Sequence, residues 1–567
     1  MSLDSKRMIG PAQLAALAFM LAYAAAAFVV FDPRSLLTLD VAVKWLQAKS
    51  LMTSGFTSVA MPPPGGTLDP SGEFLPFVPP HVFYIGHELH GIFPSSVALL
   101  NAVFAPWGLG GIAFVSVLSG GVVLVATSWI PEPPQRLGTV IVLGAATPLW
   151  FYCILPWEHA PALGLSTLAV AVVCRASNPS AIAVAGLLSG LAPLLRDEFL
   201  VLTPVVALLT AVKHGWRRGL LVACLAAVPS VVVGAVDALV FGRPVAAHLV
   251  HAVRPLAAIT TGGAAVPGMP HDWSLTTRLQ VAIGDWLFGF EPAAWPLWFA
   301  VPLGVVALFA AARRRAPVVL IVVTMVMVLH LNDLATYLTA PAFVAGLFRL
   351  SPVLIFALMP MAPFHRSSSA RRWSLAVSAA FLVVVLGTIN TDGGTQLGPR
   401  LLLPVLPFVA LAAFEGLSSY REGAAMAERL VWRLGVVLGC GSLVMQTAVA
   451  GRAYYDLNST ERQPVAWLYA ASEPVIVVDS THTMSVAVHA CEGRSVVMAQ
   501  GQEMATRLAR VMSERHVEAF AFVAREHGPD PDFPGFTMSR VQSTRFTRIL
   551  HWTARAPTSP LTYIPKP

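Results

Sequence analysis

Residues 11–31, PAQLAALAFMLAYAAAAFVVF, form a run that is apolar except for Gln13 and ends nine residues before an aspartate, Asp40. As a helix, the run is long enough to cross about 30 Å of hydrocarbon. Lys6 and Arg7 precede it, as basic residues precede a secretory signal, but many further apolar runs follow. We therefore predict a retained membrane helix with Asp40 just beyond its end.

The whole chain has the composition of a membrane protein. Its 567 residues are 56% hydrophobic and 12% charged, with a mean hydropathy of +0.68, and these values exclude a single soluble core. The predicted fold class is a polytopic α-helical membrane protein. About thirteen spans are predicted, at residues 11–31, 110–129, 138–155, 160–174, 181–195, 199–212, 219–240, 293–311, 316–337, 341–360, 373–389, 399–416 and 431–450.

The placement of Lys and Arg orients these spans, because basic residues stay on the cytoplasmic side. With the N-terminus inside, the basic residues of every inner loop agree with one topology: Arg136, Arg175, Lys213, Arg217, Arg218, Arg313–Arg315, Arg371, Arg372, Arg429 and Arg433. Four segments then lie outside, namely residues 32–109, the turn at Trp157, residues 242–292 and everything after Gly451. We expect any chemistry on these outer faces.

The net charge of +7 does not indicate nucleic acid, because Lys and Arg lie in short inner loops rather than in one patch. The five cysteines are scattered along the chain. Their spacing predicts neither a metal site nor a disulfide framework.

The first outer segment opens with an amphipathic helix. Val41, Trp45, Leu46 and Met52 recur with helical spacing, while Lys44, Gln47 and Lys49 fall elsewhere, so we predict a helix lying along the membrane interface. Asp40 would lie near its N-cap, where a carboxylate is favoured in any case. The Pro/Gly-rich loop 61–66 that follows excludes regular structure.

The C-terminal stretch changes character near Ser472. Strands are predicted at 475–479, 496–498 and 519–523, and a helix at 502–515, which indicates a small α/β domain. The domains expected are thus a transmembrane module, residues 1–450 with outer loop 32–109, and an extracytoplasmic α/β domain, residues 451–567. The α/β domain has no G-x-G-x-x-G and no P-loop, so no nucleotide is assigned to it.

Two acids stand at the outer ends of spans. Asp40 is the first, and Glu158 in Trp157-Glu158-His159 is the second. A charge at the edge of the hydrocarbon is costly unless it is paired or functional, which favours a site. The alternative is structural, with Asp40 as an N-cap and Glu158 as a solvated turn residue.

Two arginines could meet an anion. Arg196, in the sequence LRDEF at 195–199, could pair with Asp197 or Glu198, or face a phosphate. Arg400 ends the Gly-rich turn 392–400, whose backbone N–H groups could bind an anion, although glycine there could serve turn geometry alone.

A histidine group in the first outer segment could hold a metal. His81, His87, His90 and Glu88 offer the imidazole and carboxylate ligands that suit zinc. Their spacing fits no metal motif, so a divalent cation stays possible and no cofactor is assigned.

Taken in order, these segments resemble the integral-membrane glycosyltransferases of the GT-C fold, in particular the bacterial relatives of protein O-mannosyltransferases and aminoarabinose transferases. The resemblance covers most of residues 10–450. It rests on Asp40 before the amphipathic helix, HGIFPSS at 90–96, WEH at 157–159, GLAPLLR at 190–196, GFEP at 289–292 before Trp295-Pro296, and GGTQLGPR at 393–400 followed by Leu403-Pro404 and Leu406-Pro407.

The resemblance implies a bacterial inner-membrane enzyme that transfers a sugar from a polyprenyl-phosphate donor, with inversion, to a lipid, glycan or protein acceptor. It implies Asp40 as the catalytic base, Glu158 as a second acid, and Arg196 and Arg400 as phosphate contacts. Lys44, His159 and Glu198 complete the substrate-binding set expected beside them. Two departures are visible: Val41 follows Asp40 where relatives often carry a second acid, and Ser96 stands where they often have glycine.

Two other classes of protein fit a polytopic chain. A transporter or lipid flippase usually carries ionisable residues near mid-membrane and repeated halves, whereas the charges here gather at span ends. If the chain were a scaffolding protein, the acids of the outer loop would have no role. The sugar, the acceptor and any metal requirement stay open, and membrane lipid is the one partner that the composition itself implies.

Overall fold

A computed structural model gives the fold. It describes residues 10–33, 38–77, 81–85, 88–176, 178–240, 278–279, 281–282, 286–287, 315–339, 346–362, 367–388, 400–481, 483–491, 493–528 and 530–555.

Helices dominate the chain. In order they are α1 Pro11–Ala25, α2 Leu39–Thr53, α3 Ser95–Phe104, α4 Gly108–Trp129, α5 Pro133–Ala145, α6 Leu149–Ile154, α7 His159–Arg175, α8 Pro179–Leu195, α9 Leu202–His214, α10 Trp216–Val240, α11 Arg315–Thr339, α12 Leu347–Leu350, α13 Ser369–Thr388, α14 Leu406–Ser418, α15 Met426–Val444, α16 Gly451–Ala470, α17 Met484–Ala487 and α18 Gly501–Glu514. The strands are β1 Val82–Ile85, β2 Glu88–Gly91, β3 Val475–Val478, β4 Ser495–Met498, β5 Ala519–Arg525, β6 Phe536–Ser543 and β7 Thr547–Ala554.

The chain is a multi-pass membrane protein. Within the described residues, seven helical stretches are long and apolar enough to cross a membrane: Pro11–Val30, Ser95–Trp129, Trp216–Val240, Ala316–Thr339, Ser369–Leu386, Arg400–Ser418 and Met426–Ala470. Two shorter apolar helices are His159–Arg175 and Pro179–Leu195. The span expected at 293–311 lies outside the described residues, and the number thirteen stays a prediction.

Two of the expected spans are not continuous helices. The run 138–155 divides between α5 and α6 at Pro148, which lacks the N–H that a helix interior needs. In the run 341–360, the described part contains only the four-residue helix α12 and a 3-10 turn, Pro352–Ala357. Apolar composition alone predicted spans there, and proline ended the helices.

The structure divides into two compact units. The first comprises residues 1–30, 112–235 and 258–454, and the second residues 31–111, 236–257 and 455–567. The boundary expected near residue 450 stays a prediction. The second unit nevertheless groups the outer loop 32–109 with the C-terminal residues, a grouping that composition did not indicate.

Close helix packing shapes the first unit around the end of α8. Gly190 of α8 faces Ala226 of α10, and a Cβ on Gly190 would lie 2.7 Å from the Ala226 carbonyl carbon. Only glycine permits this approach of two backbones. The close contact fixes the last turn of α8, which leads directly into Arg196.

A five-stranded sheet forms the core of the second unit. Its order is β4-β3-β5-β7-β6, with β3 parallel to β4 and β5, and β7 antiparallel to β5 and β6. The three strands predicted from the sequence are therefore confirmed, with bounds shifted by a residue or two. Helix α18 covers the sheet with Ala505, Leu508 and Met512.

The Pro/Gly-rich loop of the first outer segment packs on this sheet. The Val496 N–H of edge strand β4 donates to the Pro64 carbonyl at 2.7 Å, and the Met498 N–H donates to the Phe74 carbonyl at 2.8 Å. Leu68 and Phe74 join the same apolar core as the strands. The loop thus covers an edge that would otherwise expose unpaired backbone groups.

A half-buried ion pair joins strand β7 to Glu473, two residues before β3, and makes the stability of the sheet pH-dependent. His551 Nδ1 lies 2.5 Å from Glu473 Oε1, and its Nε2 lies 2.8 Å from Gln542 Oε1. Burial raises the pKa of the Glu473 carboxyl, but the hydrogen bond from His551, with the charges of His551 and Arg494, outweighs burial and lowers it.

Because the pKa of Glu473 is lowered in the folded state, its contribution to stability is present above the ordinary Glu value of about 4.3 and is lost as the pH falls. We expect the melting temperature of the wild type to exceed that of Glu473→Gln at pH 7, and the difference to vanish on acidification. Melting curves of both full-length proteins over this range would check it. A difference that does not change with pH would contradict it.

Candidate functional site

The first group of candidate residues lies in the second unit, at the start of α2. Asp40 occupies the first turn of this helix, after Thr38 as N-cap. A carboxylate is favoured there by the helix dipole. His81 Nδ1 lies 3.3 Å from Asp40 Oδ1, so a second titratable group stands against the acid. The predicted helix is confirmed and extends to Thr53.

The expectation that α2 has a separate polar face is wrong, and its position along a membrane interface stays a prediction. Lys44 and Gln47 are each only 1% exposed, and ten of its fifteen residues are buried. The apolar residues Ala48 and Leu51 pack against Ala98 and Ala102 of α3, whose small side chains allow the helices to approach. Lys44 and Gln47 therefore face the inside of the protein, where a polar side chain costs free energy unless its contacts compensate for the lost water.

The segment after α2 returns to pack on it. Strands β1 and β2 form an antiparallel hairpin, which the sequence did not predict, and Met61 N–H donates to the Leu89 carbonyl at 2.7 Å. Gly91, at the end of β2, lies directly over α2: a Cβ there would be 2.6 Å from Gln47 Cδ and 2.6 Å from Val43 Cγ1. The segment HGIFP is therefore shaped by contact with the helix that carries Asp40.

Gly91→Ala is expected to destabilise the second unit by about 1–3 kcal/mol, the usual cost of overpacking. The methyl group must displace the Gln47 amide or lift β2 from α2. Thermal unfolding of the purified full-length variant would check this, with Gly493→Ala as the matched control. A Cβ at Gly493 meets nothing within 4 Å, although its φ of +91° brings some strain. Equal melting temperatures for Gly91→Ala and the wild type would contradict the packing.

The histidine group considered as a metal site is dispersed. His81 pairs with Asp40, and His90 Nε2 lies 3.2 Å from Glu88 Oε2. His87 lies outside the described residues. Among the described side chains, no group of three or more His, Cys, Asp or Glu is placed to hold a metal ion.

The second group of candidate residues lies in the first unit, where Arg196 joins two acids. Its Nη1 donates to Glu158 Oε1 at 3.1 Å, and its Nε and Nη2 donate to Glu198 Oε1 at 3.0 and 2.8 Å. Glu158 is the N-cap of α7, Arg196 the C-cap of α8, and Glu198 lies in the 3-10 turn Asp197–Val201. Of the alternatives that the sequence left open for Arg196, the structure shows the pairing with Glu198 and adds Glu158, and the contact with a phosphate stays a prediction.

This pairing leaves Arg196 partly available. A guanidinium has five N–H groups, and the two carboxylates accept from three of them, which leaves two without an acceptor among the described residues. Burial alone would lower the pKa of Arg196, but the carboxylates of Glu198 and Glu158 outweigh burial and raise it. Arg196 is therefore a permanent cation held in one orientation.

Aromatic rings surround the ion-pair cluster. His159 is 1% exposed, and its ring centroid lies 5.0 Å from that of Trp157 and 5.3 Å from that of Tyr152. Tyr152 in turn interacts electrostatically with the charges of Arg400, Arg196 and Glu198. The first unit thus brings Glu158, His159, Arg196, Glu198 and Arg400 into one neighbourhood.

Sequence reasoning missed two members of these groups. Tyr152 looked like an ordinary apolar-span residue, and its only signal was a phenol close to the Trp157-Glu158-His159 turn. His81 was assigned to the metal group because nothing local connects it to Asp40. The motifs at 289–296 and the glycines at 393–398 lie outside the described residues.

Comparisons with known proteins give a limited result. No protein-family model and no curated protein matches the chain. Among solved structures, the chain is similar to the crystal structure of ArnT from Cupriavidus metallidurans bound to undecaprenyl phosphate, with 12% identity, a TM-score of 0.45, and coverage of 94% of this chain and 97% of that one. The apo structure of the same protein gives 13% identity, a TM-score of 0.41 and the same coverage. Neither similarity assigns a role to a residue of this chain.

Proposed function

We propose that this protein is a GT-C-type glycosyltransferase that moves a sugar from a polyprenyl-phosphate donor to an acceptor outside the cytoplasm. The observation that carries the proposal is the start of α2, where Asp40 is followed one turn later by a buried cation, Lys44. Lipid-phosphate sugar transfer needs a base for the acceptor and a cation for the phosphate that leaves. The order of the sequence motifs around Asp40 points to the same class of enzyme.

Asp40 acts as the general base. It takes the proton of the acceptor hydroxyl while that oxygen forms a bond to the anomeric carbon of the sugar. The bond from this carbon to the phosphate oxygen breaks at the same time, its electron pair stays on that oxygen, and polyprenyl phosphate leaves. Attack in line with the leaving group inverts the anomeric centre. His81 keeps the carboxylate of Asp40 oriented and hydrogen-bonded.

The cationic and acidic residues of the first unit bind substrate. Arg196 offers the two N–H groups that its carboxylate partners leave over, and Arg400 supplies a second guanidinium near Tyr152. Glu158 and Glu198 fix the orientation of the Arg196 guanidinium, and Glu158 is proposed as a second acid that contacts substrate. His159, held between Trp157 and Tyr152, is assigned to the sugar.

Transfer by the purified full-length protein in lipid tests the function directly. With an isotope-labelled polyprenyl-phosphate sugar and an envelope extract as acceptor, we expect released polyprenyl phosphate and labelled acceptor in equal amounts. Envelope glycans of a strain lacking the protein, analysed by mass spectrometry, should lose one sugar modification. Movement of the labelled lipid between leaflets without cleavage would identify a flippase and refute the proposal.

Residues 32–109 and the C-terminal residues should lie on the same, extracytoplasmic side of a bacterial inner membrane, because all inner loops collect the basic residues. Topology reporters inserted at Gly65 and Pro531 are expected to read external together. A reporter after Arg218, in an inner loop, is the control and should read cytoplasmic. Opposite readings at Gly65 and Pro531 would refute this topology.

A further inference from the structure

Gln47 connects the proposed base helix to the segment that returns over it. Its Nε2 donates to the Phe93 carbonyl at 3.2 Å, and only the NH₂ end of the amide can face a carbonyl. Its Oε1 is buried and meets no donor among the described residues. Such an unsatisfied oxygen costs free energy and offsets the stabilisation that the hydrogen bond to Phe93 contributes. Stability alone therefore does not account for Gln47.

The residue that Gln47 holds is in contact with Lys44. The Lys44 ammonium lies 4.3 Å from the centroid of the Phe93 ring, within the range of a cation–π interaction. Lys44 is 1% exposed and lies one turn after Asp40 on α2. Positions 40, 44 and 47 share one face of the helix, because they are separated by four and three residues. One face of α2 thus carries Asp40, Lys44 and Gln47. The Gln47 amide binds Phe93, the residue whose ring contacts the Lys44 ammonium.

From this arrangement we propose that Gln47 is a positioning residue, which holds Phe93 so that the Lys44 ammonium is kept in place to receive the phosphate of the lipid donor. The proposal rests on the proposed function for the identity of the phosphate. A ring face attracts the ammonium electrostatically without removing its charge. Gly91 gives the Gln47 amide its space, because a Cβ there would meet Gln47 Cδ at 2.6 Å.

Gln47→Leu is the informative variant, because it keeps a side chain of similar volume while removing both the hydrogen bond to the Phe93 carbonyl and the unsatisfied oxygen. These two changes act on stability in opposite directions, so we expect little change in the melting temperature. We expect kcat/KM for the lipid donor to fall roughly 10- to 100-fold, as misplaced binding groups do, with the KM for the acceptor unchanged. Binding of polyprenyl phosphate without sugar should weaken in parallel, whereas inorganic phosphate should compete poorly against both proteins. Competition by inorganic phosphate as strong as by the lipid would show a general anion site and overturn the donor assignment.

The position of Lys44 can be measured without any transfer. Acetylation of the full-length protein by acetic anhydride, followed by peptide mass spectrometry, compares Lys44 with Lys49, a partly exposed lysine of the same helix. We expect slow labelling of Lys44 in the wild type, and an increase relative to Lys49 in both Gln47→Leu and Phe93→Leu. The double variant should add little to either single change, because both act through one contact.

Each result decides one part of the proposal. Unchanged Lys44 labelling in Gln47→Leu would overturn the positioning role, whatever the enzyme transfers. Increased labelling with unchanged donor binding would overturn the assignment of Lys44 to the phosphate. A wild type that neither binds nor cleaves the lipid donor would instead refute the proposed function, and the labelling result would still stand for Gln47.

Discussion

Replacing Asp40 with asparagine is expected to slow sugar transfer by about 10² to 10⁴, the usual cost of losing a general base. The fold should survive, because an acid in the first turn of a helix contributes only about 0.3–1 kcal/mol through the dipole. Asparagine also keeps the size of the side chain and can still accept a hydrogen bond from His81. Initial rates of transfer and a melting curve for the same preparation would check both statements.

Glu73→Gln is the matched control for Asp40→Asn. Glu73 is an acid of the same unit that lies at the surface 3.6 Å from Arg507, so its removal should change neither rate nor fold. A well-folded Asp40→Asn protein with near wild-type transfer would show that another group takes the proton, and the mechanism proposed here would be wrong.

Arg196→Ala is expected to lower the free energy of unfolding by about 3–5 kcal/mol and to weaken donor binding. It leaves the buried carboxylates of Glu158 and Glu198 without their positive partner. The side chains of Glu158 and Glu198 are 1% and 9% exposed, and Arg196 itself is 13% exposed. The sequence alone predicts a loss of donor binding only. Chemical unfolding in detergent and binding of polyprenyl phosphate would measure the two effects separately.

A compensated variant separates fold from function at this cluster. Changing Arg196 to Met together with Glu158→Gln and Glu198→Gln removes all three charges at similar volume, and such replacements are often neutral or stabilising. We expect this protein to fold and to bind the donor poorly. Wild-type donor binding in the folded triple variant would rule out a role for Arg196 in binding the phosphate.

The sequence predicted the parts of the molecule that depend on local pattern. Apolar length predicted helices such as α10 and α11, and short apolar runs rich in β-branched or aromatic residues predicted strands β3 and β5. It failed at Pro148 and Pro352, where composition suited a span but the missing N–H ended the helix. Apolar content measures solvent preference and does not report where a backbone can stay helical.

The sequence predicted which residues belong to the candidate site better than it predicted their contacts. Asp40, Glu158 and Arg196 were found because charges are rare in this chain and stand at the ends of apolar runs. The burial of Lys44 could not be foreseen, since its periodicity on α2 is that of a solvated face, whereas α2 is covered by elements outside it, namely α3, β2 and α17. The pairing of Glu158 with Arg196 joins different helix ends, and no local pattern encodes such a pair.

The loop that covers strand β4 has a consequence for biosynthesis. Residues 61–77 leave the ribosome early, whereas β3 to β7 are among the last parts of the chain to be made. Until then Leu68 and Phe74 have no core to enter, and a nascent chain with exposed apolar side chains is prone to aggregation. The second unit can therefore mature only after strands β3 to β7 have been made, and we expect its assembly to depend on chaperones.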